Sequence, residues 1–273
     1  MSLYKCPVCD ETLELLQRSW RCVNNHHFDI AREGYVNLLL AHQKKSKQAG
    51  DNKMMIQSRR QFLNHHYYDT LPEKLSTLLK VYFSTDTFSL LDIGCGEGYY
   101  SDFIQKNLPE CLMWGVDISK PAIIAAAKRY PNISFSVASS YRLPVNDQAV
   151  DVVTKIYAPA ESNEIFRVLK PNGLYISVTP GKSHLFGLKK LIYDTPKEHD
   201  EAESVPVGFE RLDQAVLCDT IEIDNNQDIA NLLAMTPYFW QLSESRHQEI
   251  AALTALNTEI SFIINIYRKT SGV

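Results

Sequence analysis

The run Leu90-Leu91-Asp92-Ile93-Gly94-Cys95-Gly96-Glu97-Gly98-Tyr99-Tyr100 constrains this chain more than any other part of it. An apolar stretch carrying one acidic residue is followed by glycines at every second position. The pattern predicts a buried strand, a tight turn free of Cβ atoms, and a helix opening at Glu97. In a parallel sheet such a turn lets the backbone approach a bulky ligand at the carboxyl ends of the strands. About 20 residues on, the spacing at which such sheets present a carboxylate to ribose hydroxyls, Trp114-Gly115-Val116-Asp117 predicts a second strand ending in an acid.

Nicotinamide and flavin sites use G-x-G-x-x-G, which requires glycine at position 99, where this chain has Tyr99. The spacing here, G-x-G-x-G directly behind Asp92, resembles the S-adenosylmethionine loop of class I methyltransferases. That resemblance implies cofactor contacts from Asp92, Gly94, Gly96, Glu97, Gly98 and Asp117.

Strands are expected at 88–93, 112–117, 133–138, 149–156 and 173–179. Helices are expected between them at 97–107, 119–130, 160–169 and 182–194, the second with Ser119 as N-cap and Pro121 in its first turn. This rhythm predicts an α/β fold with a mostly parallel, doubly wound, Rossmann-like sheet. A stretch at 217–224, a helix at 226–235 and the β-rich Thr258–Arg268 suit an antiparallel hairpin closing one sheet edge. Residues 195–215, with Glu198, Asp200, Glu201 and Glu203 among prolines, read as an exposed acidic loop. Ahead of the sheet, helices are expected over 54–63 and 72–83. The length suits one α/β domain with a small appendage. The chain divides into a cysteine-bearing module at 1–36, a basic linker and helices at 37–84, and a catalytic domain at 85–273.

In the first segment Cys6, Cys9, Cys22 and His26 form C-x2-C-x12-C-x3-H. Three sulfurs and one imidazole suit tetrahedral structural zinc, with no open position for catalysis. So short a module buries too little apolar surface to hold its fold unaided, and the metal supplies that stability. His27 is an alternative fourth ligand, and reduced cysteines that merely pack are the plainer competing reading. Met1-Ser2-Leu3-Tyr4-Lys5-Cys6 is not the start of a secretion signal, and no apolar run has bilayer length. A cytoplasmic protein without disulfides is expected.

The net charge of −4 is unevenly spread: residues 1–66 carry ten Lys/Arg against six Asp/Glu, and the remainder 18 against 26. Lys44, Lys45, Lys47, Lys53, Arg59 and Arg60 stand against Asp51 alone over 44–60. Such a run is either solvated surface or, joined to the amino-terminal module, a contact for phosphates.

Two loops flank the expected cofactor. Ala138-Ser139-Ser140 follows the third strand, where Ser139 is a candidate neighbour of the adenine, and Tyr157-Ala158-Pro159 ends the fourth, beside the expected methyl group. The Asn/Asp-Pro-Pro-aromatic tetrad of exocyclic-amine methylation is absent. Cys95, Cys111 and Cys218 lack the setting of a pyrimidine-C5 nucleophile, which argues against covalent catalysis.

The cysteine cluster, His26-His27-Phe28-Asp29, Arg32-Glu33-Gly34-Tyr35-Val36-Asn37-Leu38-Leu39, Gly50-Asp51, Met54-Met55, Arg59, Arg60, Thr179-Pro180-Gly181, His184-Leu185 and Met235-Thr236-Pro237 occur in one order with the glycine loop. Together they resemble the bacterial 23S rRNA guanine-N1 methyltransferases, over nearly the whole chain up to about residue 245. The resemblance implies zinc on Cys6, Cys9, Cys22 and His26, and cofactor contacts from Tyr68, the Gly96-Glu97 turn and His184. It implies a hairpin loop of 23S rRNA as substrate, with which a homodimer is compatible. No residue is marked as a general base. Two other readings stand beside it: a small-metabolite methyltransferase, and an inactive zinc-containing RNA-binding protein. The intact Asp92, Gly94, Gly96, Gly98 and Asp117 weigh against the second.

Overall fold

The structure, a computed structural model, describes residues 2–43, 50, 52–83, 87–201 and 204–270. The basic run Lys44, Lys45 and Lys47 lies outside the described residues. The chain opens with three short strands, β1 (Glu14–Leu16), β2 (Ser19–Arg21) and β3 (His27–Asp29), paired antiparallel in that order. Strand β4 (Val36–Asn37) leaves this ribbon and joins the edge of the main sheet. Two helices follow, α1 (Lys53–Asn64), capped by Asn52 accepting from the Met55 amide, and α2 (Thr70–Tyr82).

The α/β body runs β5 (Phe88–Ile93), α3 (Tyr99–Asn107), β6 (Cys111–Asp117), α4 (Lys120–Arg129), β7 (Ser134–Val137), β8 (Val150–Ile156), α5 (Ser162–Val168) and β9 (Leu169–Pro180). After it come α6 (Phe186–Ile192), β10 (Phe209–Ile223), α7 (Asn226–Ala234), α8 (Glu244–Ala251) and β11 (Leu256–Lys269). The eight-stranded sheet has the order β10-β11-β9-β8-β5-β6-β7-β4. Pairs from β4 to β9 are parallel, while β11 is antiparallel to both β9 and β10. The order reverses at β5, which lies between β6 and β8, so a cleft opens beyond its carboxyl end.

A parallel sheet must be covered on both faces. One core holds apolar residues of α1 to α4 and α6 to α8 against one face of the sheet. The other is built by α5 and, unexpectedly, by the ribbon. Leu3, Tyr4, Cys6, Leu13 and Cys22 share a buried cluster with Leu143 and Val145 from the β7–β8 connection. That connection carries no helix, and the ribbon covers the ground a crossover helix would take. Main-chain bonds fix the docking: the Lys5 amide donates to the Pro144 carbonyl (3.0 Å) and the Asn146 amide to the Leu3 carbonyl (2.9 Å).

Three expectations need correction. The helix after the glycine turn begins at Tyr99 rather than Glu97, because Gly94, Gly96 and Gly98 all adopt positive φ (72°, 55° and 81°) and hold the chain in a loop. The next expected start, at 182, slips to Phe186, where the Leu185 amide donates to the Glu259 carbonyl and Leu185 itself is left-handed. Finally, the acidic stretch 195–215 is a loop only as far as Gly208, since β10 already begins at Phe209 and pairs along its whole length with β11. Its polar outward residues concealed an edge strand whose one neighbour, β11, lies far along the chain.

Candidate active site and metal centre

The ribbon brings the Cys6, Cys9 and Cys22 sulfurs and a ring nitrogen of His26 within 4.8 Å of one another. The Cys9–Cys22 Sγ separation is 3.6 Å, and His26 Nδ1 lies 3.6 Å from Cys6 Sγ and 3.3 Å from Cys22 Sγ. A tetrahedron with Zn–S bonds of about 2.3 Å has edges of about 3.8 Å. The donor set and its dimensions therefore fit a closed structural zinc. Two tight turns aim the ligands: Asp10 (φ 62°) donates its amide to the Cys6 carbonyl, and Asn25 (φ 61°) to that of Cys22. His27 is exposed on β3, where its Nδ1 takes a bond from Arg21 Nε, and it is not one of the cluster.

The cleft beyond β5 has a volume of about 630 Å³, within the range of about 300–1,000 Å³ common for small-molecule sites. Gly94, Gly96, Glu97, Asp117, Tyr68, His184 and Asp92 line it. A Cβ on Gly94 would lie 2.3 Å from that of Ala158, whereas one on Gly96 would enter open cleft, its nearest neighbour Arg59 Nη1 at 3.9 Å. That open space in front of Gly96 is a cradle for a ligand.

Asp117 caps the turn from its far side. One carboxylate oxygen accepts from the Gly96 amide (2.9 Å), the other from the Ser119 amide (2.7 Å). Asp92 is buried, and its carboxyl is pushed up to about 6 by burial, against hydroxyl donors Ser101 (2.6 Å) and Thr154 (3.0 Å). Its work is to tie α3 and β8 to the turn. Glu97 forms an ion pair with Arg60 through Oε2, while burial still raises its pKa. Its Oε1 has no partner, and neither has the buried hydroxyl of Tyr68. Orphaned polar atoms are costly in a protein interior, and two of them lining one cavity mark where a polar ligand fits.

Two candidates lie outside the lining. Gly98 packs under Phe135, where a Cβ would approach the ring to 2.8 Å, so its role is in the core. Ser139 accepts from the Tyr141 amide, and its neighbours Ala138 and Ser140 line the cleft instead. Sequence reasoning assigned no role in this cleft to Met55, Arg59, Tyr100 or His199. They come from helices and loops far apart in the chain, and only the Met55, Arg59 and Met235-Thr236-Pro237 segments had carried a signal.

Around His184 the cleft is aromatic. His184 lies 5.1 Å from Phe262, 5.7 Å from Tyr157, 6.0 Å from Tyr68 and 6.2 Å from His199, ring centre to ring centre. Its Nδ1 accepts from the Ser261 amide (3.2 Å), and burial, with His199 beside it, lowers its pKa to about 3. It is therefore neutral, with its proton on Nε2. Tyr157, directly after β8, is left-handed (φ 55°), exposed, and lines the cleft.

Two family models match the chain: a zinc ribbon, described as RlmA, N-terminal, over residues 4–47, and a methyltransferase domain over residues 90–173. With the sheet order, the glycine turn and the Cys/His cluster, they define a class I S-adenosylmethionine-dependent methyltransferase bearing a structural zinc ribbon. Full-length relatives narrow the class. The chain is 33% identical over 242 residues to the 23S rRNA (guanine(748)-N(1))-methyltransferase of Streptomyces fradiae, covering 86% of this chain and 85% of that one. It is 30% identical to a putative 23S rRNA (guanine-N(1)-)-methyltransferase of Micromonospora griseorubida, covering 92% and 89%. A Bacillus subtilis relative described in the same words, YxjB, is 29% identical, covering 90% and 89%. The chain belongs to the 23S rRNA guanine-N1-methyltransferase family.

Proposed function

We propose that this protein transfers a methyl group from S-adenosylmethionine to N1 of a guanine in a hairpin loop of 23S rRNA. The observation that carries the reading is the pairing, on one chain, of a zinc ribbon docked on the sheet with a cofactor cleft whose wall holds two unpartnered polar atoms. Relatives of that rRNA specificity match across both parts. We assign residues 1–36 to RNA recognition, 37–84 to a basic linker and to helices that cover the cleft, and 85–273 to catalysis.

When bound, S-adenosylmethionine supplies an electrophilic methyl group on a sulfonium. Asp117 holds the ribose hydroxyls, the Gly94–Gly96 turn the adjoining chain, and Tyr68, Glu97 and His184 offer the remaining polar contacts. Much of the rate enhancement then comes from alignment of acceptor and methyl group. A loop guanine leaves its stack more easily than one in a duplex, and Tyr157 with Tyr238 gives it aromatic walls. Among the described residues no helix is long and apolar enough to cross a membrane; an rRNA substrate places the action in the cytoplasm.

The test is to map N1-methylguanine in 23S rRNA by reverse-transcription stops, in a parent strain and in one lacking this gene. A single hairpin stop should vanish on deletion and return with the gene. An unchanged stop pattern would remove the reading.

A further inference from the structure

Methylation at guanine N1 poses a proton problem, because that nitrogen carries a hydrogen and its lone pair is delocalised into the ring. Some group at the acceptor end of the cleft must take the proton, and the titratable residues lining the cleft can be examined in turn. Asp92 is closed off by Ser101 and Thr154, Glu97 is ion-paired with Arg60 through Oε2 and keeps its free Oε1 in the glycine turn, where the cofactor is expected, and Asp117 is bound by two backbone amides. Cys95 is buried and its thiol is raised well above the ordinary range by that burial. Tyr68 is held firmly protonated by burial in the same way. His184 already spends its lone pair on the Ser261 amide and can only donate.

His199 differs from all of these. Its backbone amide donates to the Lys182 carbonyl (3.0 Å), which anchors this part of the acidic loop against the cleft. The ring is half-buried and lines the cleft. One ring contact is with the main chain of His184, of the kind that favours a proton on the imidazole. The other faces Tyr238, whose hydroxyl lies 3.5 Å from Nε2, at the outer limit of a hydrogen bond and readily displaced. With the ring proton toward His184, the Nε2 lone pair faces Tyr238, and since both residues line the cleft a substrate that displaces the Tyr238 hydroxyl meets it. The groups facing the ring are Tyr238 from the turn at Pro237–Gln241, His184 ahead of α6, and Lys189 on α6, with Glu198 and Asp200 beside it on its own loop. Burial and the Lys189 charge lower its pKa from the ordinary value, so the ring is neutral at neutral pH and able to accept.

We propose that His199 is the general base of this enzyme, its Nε2 taking the N1 proton of the target guanine. This rests on the rRNA reading above. The N1–H bond breaks with its pair left on the guanine, and that pair forms the bond to the methyl carbon. The carbon–sulfur bond breaks with its electrons going to sulfur. The positive charge that enters on the sulfonium leaves as imidazolium, and the base is restored when that proton passes to water.

The experiment uses full-length, zinc-loaded protein, a transcript of the rRNA hairpin, and His199→Asn and His199→Gln variants. Single-turnover methylation is measured from about pH 5 to about pH 8. The parent rate should rise through an inflection below about pH 6.5, the ordinary imidazole value, and then level. The variants should be slower by about 10²–10⁴-fold, with a rate that keeps climbing in proportion to hydroxide. S-adenosylhomocysteine affinity by calorimetry should not change. Nitrogen-15 spectra of the histidine rings should show a resonance, missing from the variants, with Nε2 unprotonated at neutral pH. Variants that keep the parent rate and inflection overturn the assignment, as does a rate loss matched by loss of cofactor affinity. Should the parent itself leave no N1-methylguanine in the transcript, the rRNA reading falls and takes the base with it. Parent activity with unimpaired variants removes His199 alone.

Discussion

The strands of the ribbon pair antiparallel and the central strand of the body pairs parallel on both sides, and the two are held by opposite means. In β1 every residue is exposed and β2 and β3 are at most half-buried, whereas all six residues of β5 are buried. The body draws its stability from apolar burial, Leu90 facing one core and Leu91 the other. The ribbon must take its own from the four ligands and from the patch it presses against Leu143 and Val145. The difference predicts that a structural zinc is lost without dissolving the sheet beneath, and that a hole in the core loosens the sheet without touching the zinc.

The largest effect expected follows from that separation. Zinc contributes about 10–16 kcal/mol to the folding of small zinc modules. Elemental analysis should find one zinc per chain in the parent, and Cys22→Ser should abolish it and expose the β1–β3 amides to hydrogen exchange. Protection in β5, β6 and β8 and affinity for S-adenosylhomocysteine should survive, while RNA methylation falls. Loss of protection in β5 at the same time would break the comparison, since the ribbon would then be an integral layer of the body.

The converse variant is Phe135→Ala. Phe135 is almost wholly buried and fills the space under Gly98 and Gly115. Its removal should cost about 3–5 kcal/mol in urea unfolding of the body, with zinc stoichiometry unchanged. A smaller loss, or zinc release from the native variant, would mean that the two stabilising systems are coupled through the β7–β8 connection.

These two regions also differ in how plainly the sequence announced them. Ligand identity at the zinc was legible because four residues within 21 positions supply it and spacing alone restricts the geometry. Strand β5, its glycine turn and the parallel order were legible for the same local reason. What local pattern could not show was contact between distant segments. Nothing in Leu3-Tyr4 tells that it covers a missing crossover helix, and nothing in an acidic loop tells that His199 turns back into the cleft. The early start of β10 was hidden because an edge strand with polar outward residues lacks the apolar period of its partner β11. Gly98 illustrates a third cause: the glycine motif was right, but one of its members serves Phe135 rather than the ligand.

Within the body, Asp117→Ala should give a smaller and more local effect. The carboxylate both offers charge-assisted bonds, each worth about 1.5–3 kcal/mol, and clamps the Gly96 and Ser119 amides. Calorimetry should show S-adenosylmethionine bound about 10- to 100-fold more weakly, with the ribbon amides and the zinc untouched. Unchanged affinity would move the ribose away from this end of the cleft.

The smallest effect is one of order in acid. Asp228 on α7 is buried at the seam with α1, where it accepts from Asn225 (2.9 Å) and Tyr67 (3.1 Å) and meets His65 Nδ1 at 2.6 Å. Burial alone would raise its pKa, but these partners outweigh it and hold the carboxyl below the ordinary value. A carboxyl depressed in the folded state contributes stability that is present above its unfolded pKa of about 3.9 and is lost as pH falls through the lower folded value. The seam should therefore hold until the solution is more acid than about pH 4. The ribbon has no such reserve, since protons compete directly with zinc for its thiolates and imidazole. On stepwise acidification, a colorimetric chelator should register zinc before the α1 and α7 amides lose protection from hydrogen exchange. Asp228→Asn should weaken the seam near neutral pH and flatten its acid limb, so that parent and variant converge below that point while zinc release stays where it was. Zinc release and seam opening at one pH, moved together by the variant, would show a single cooperative unit in place of two.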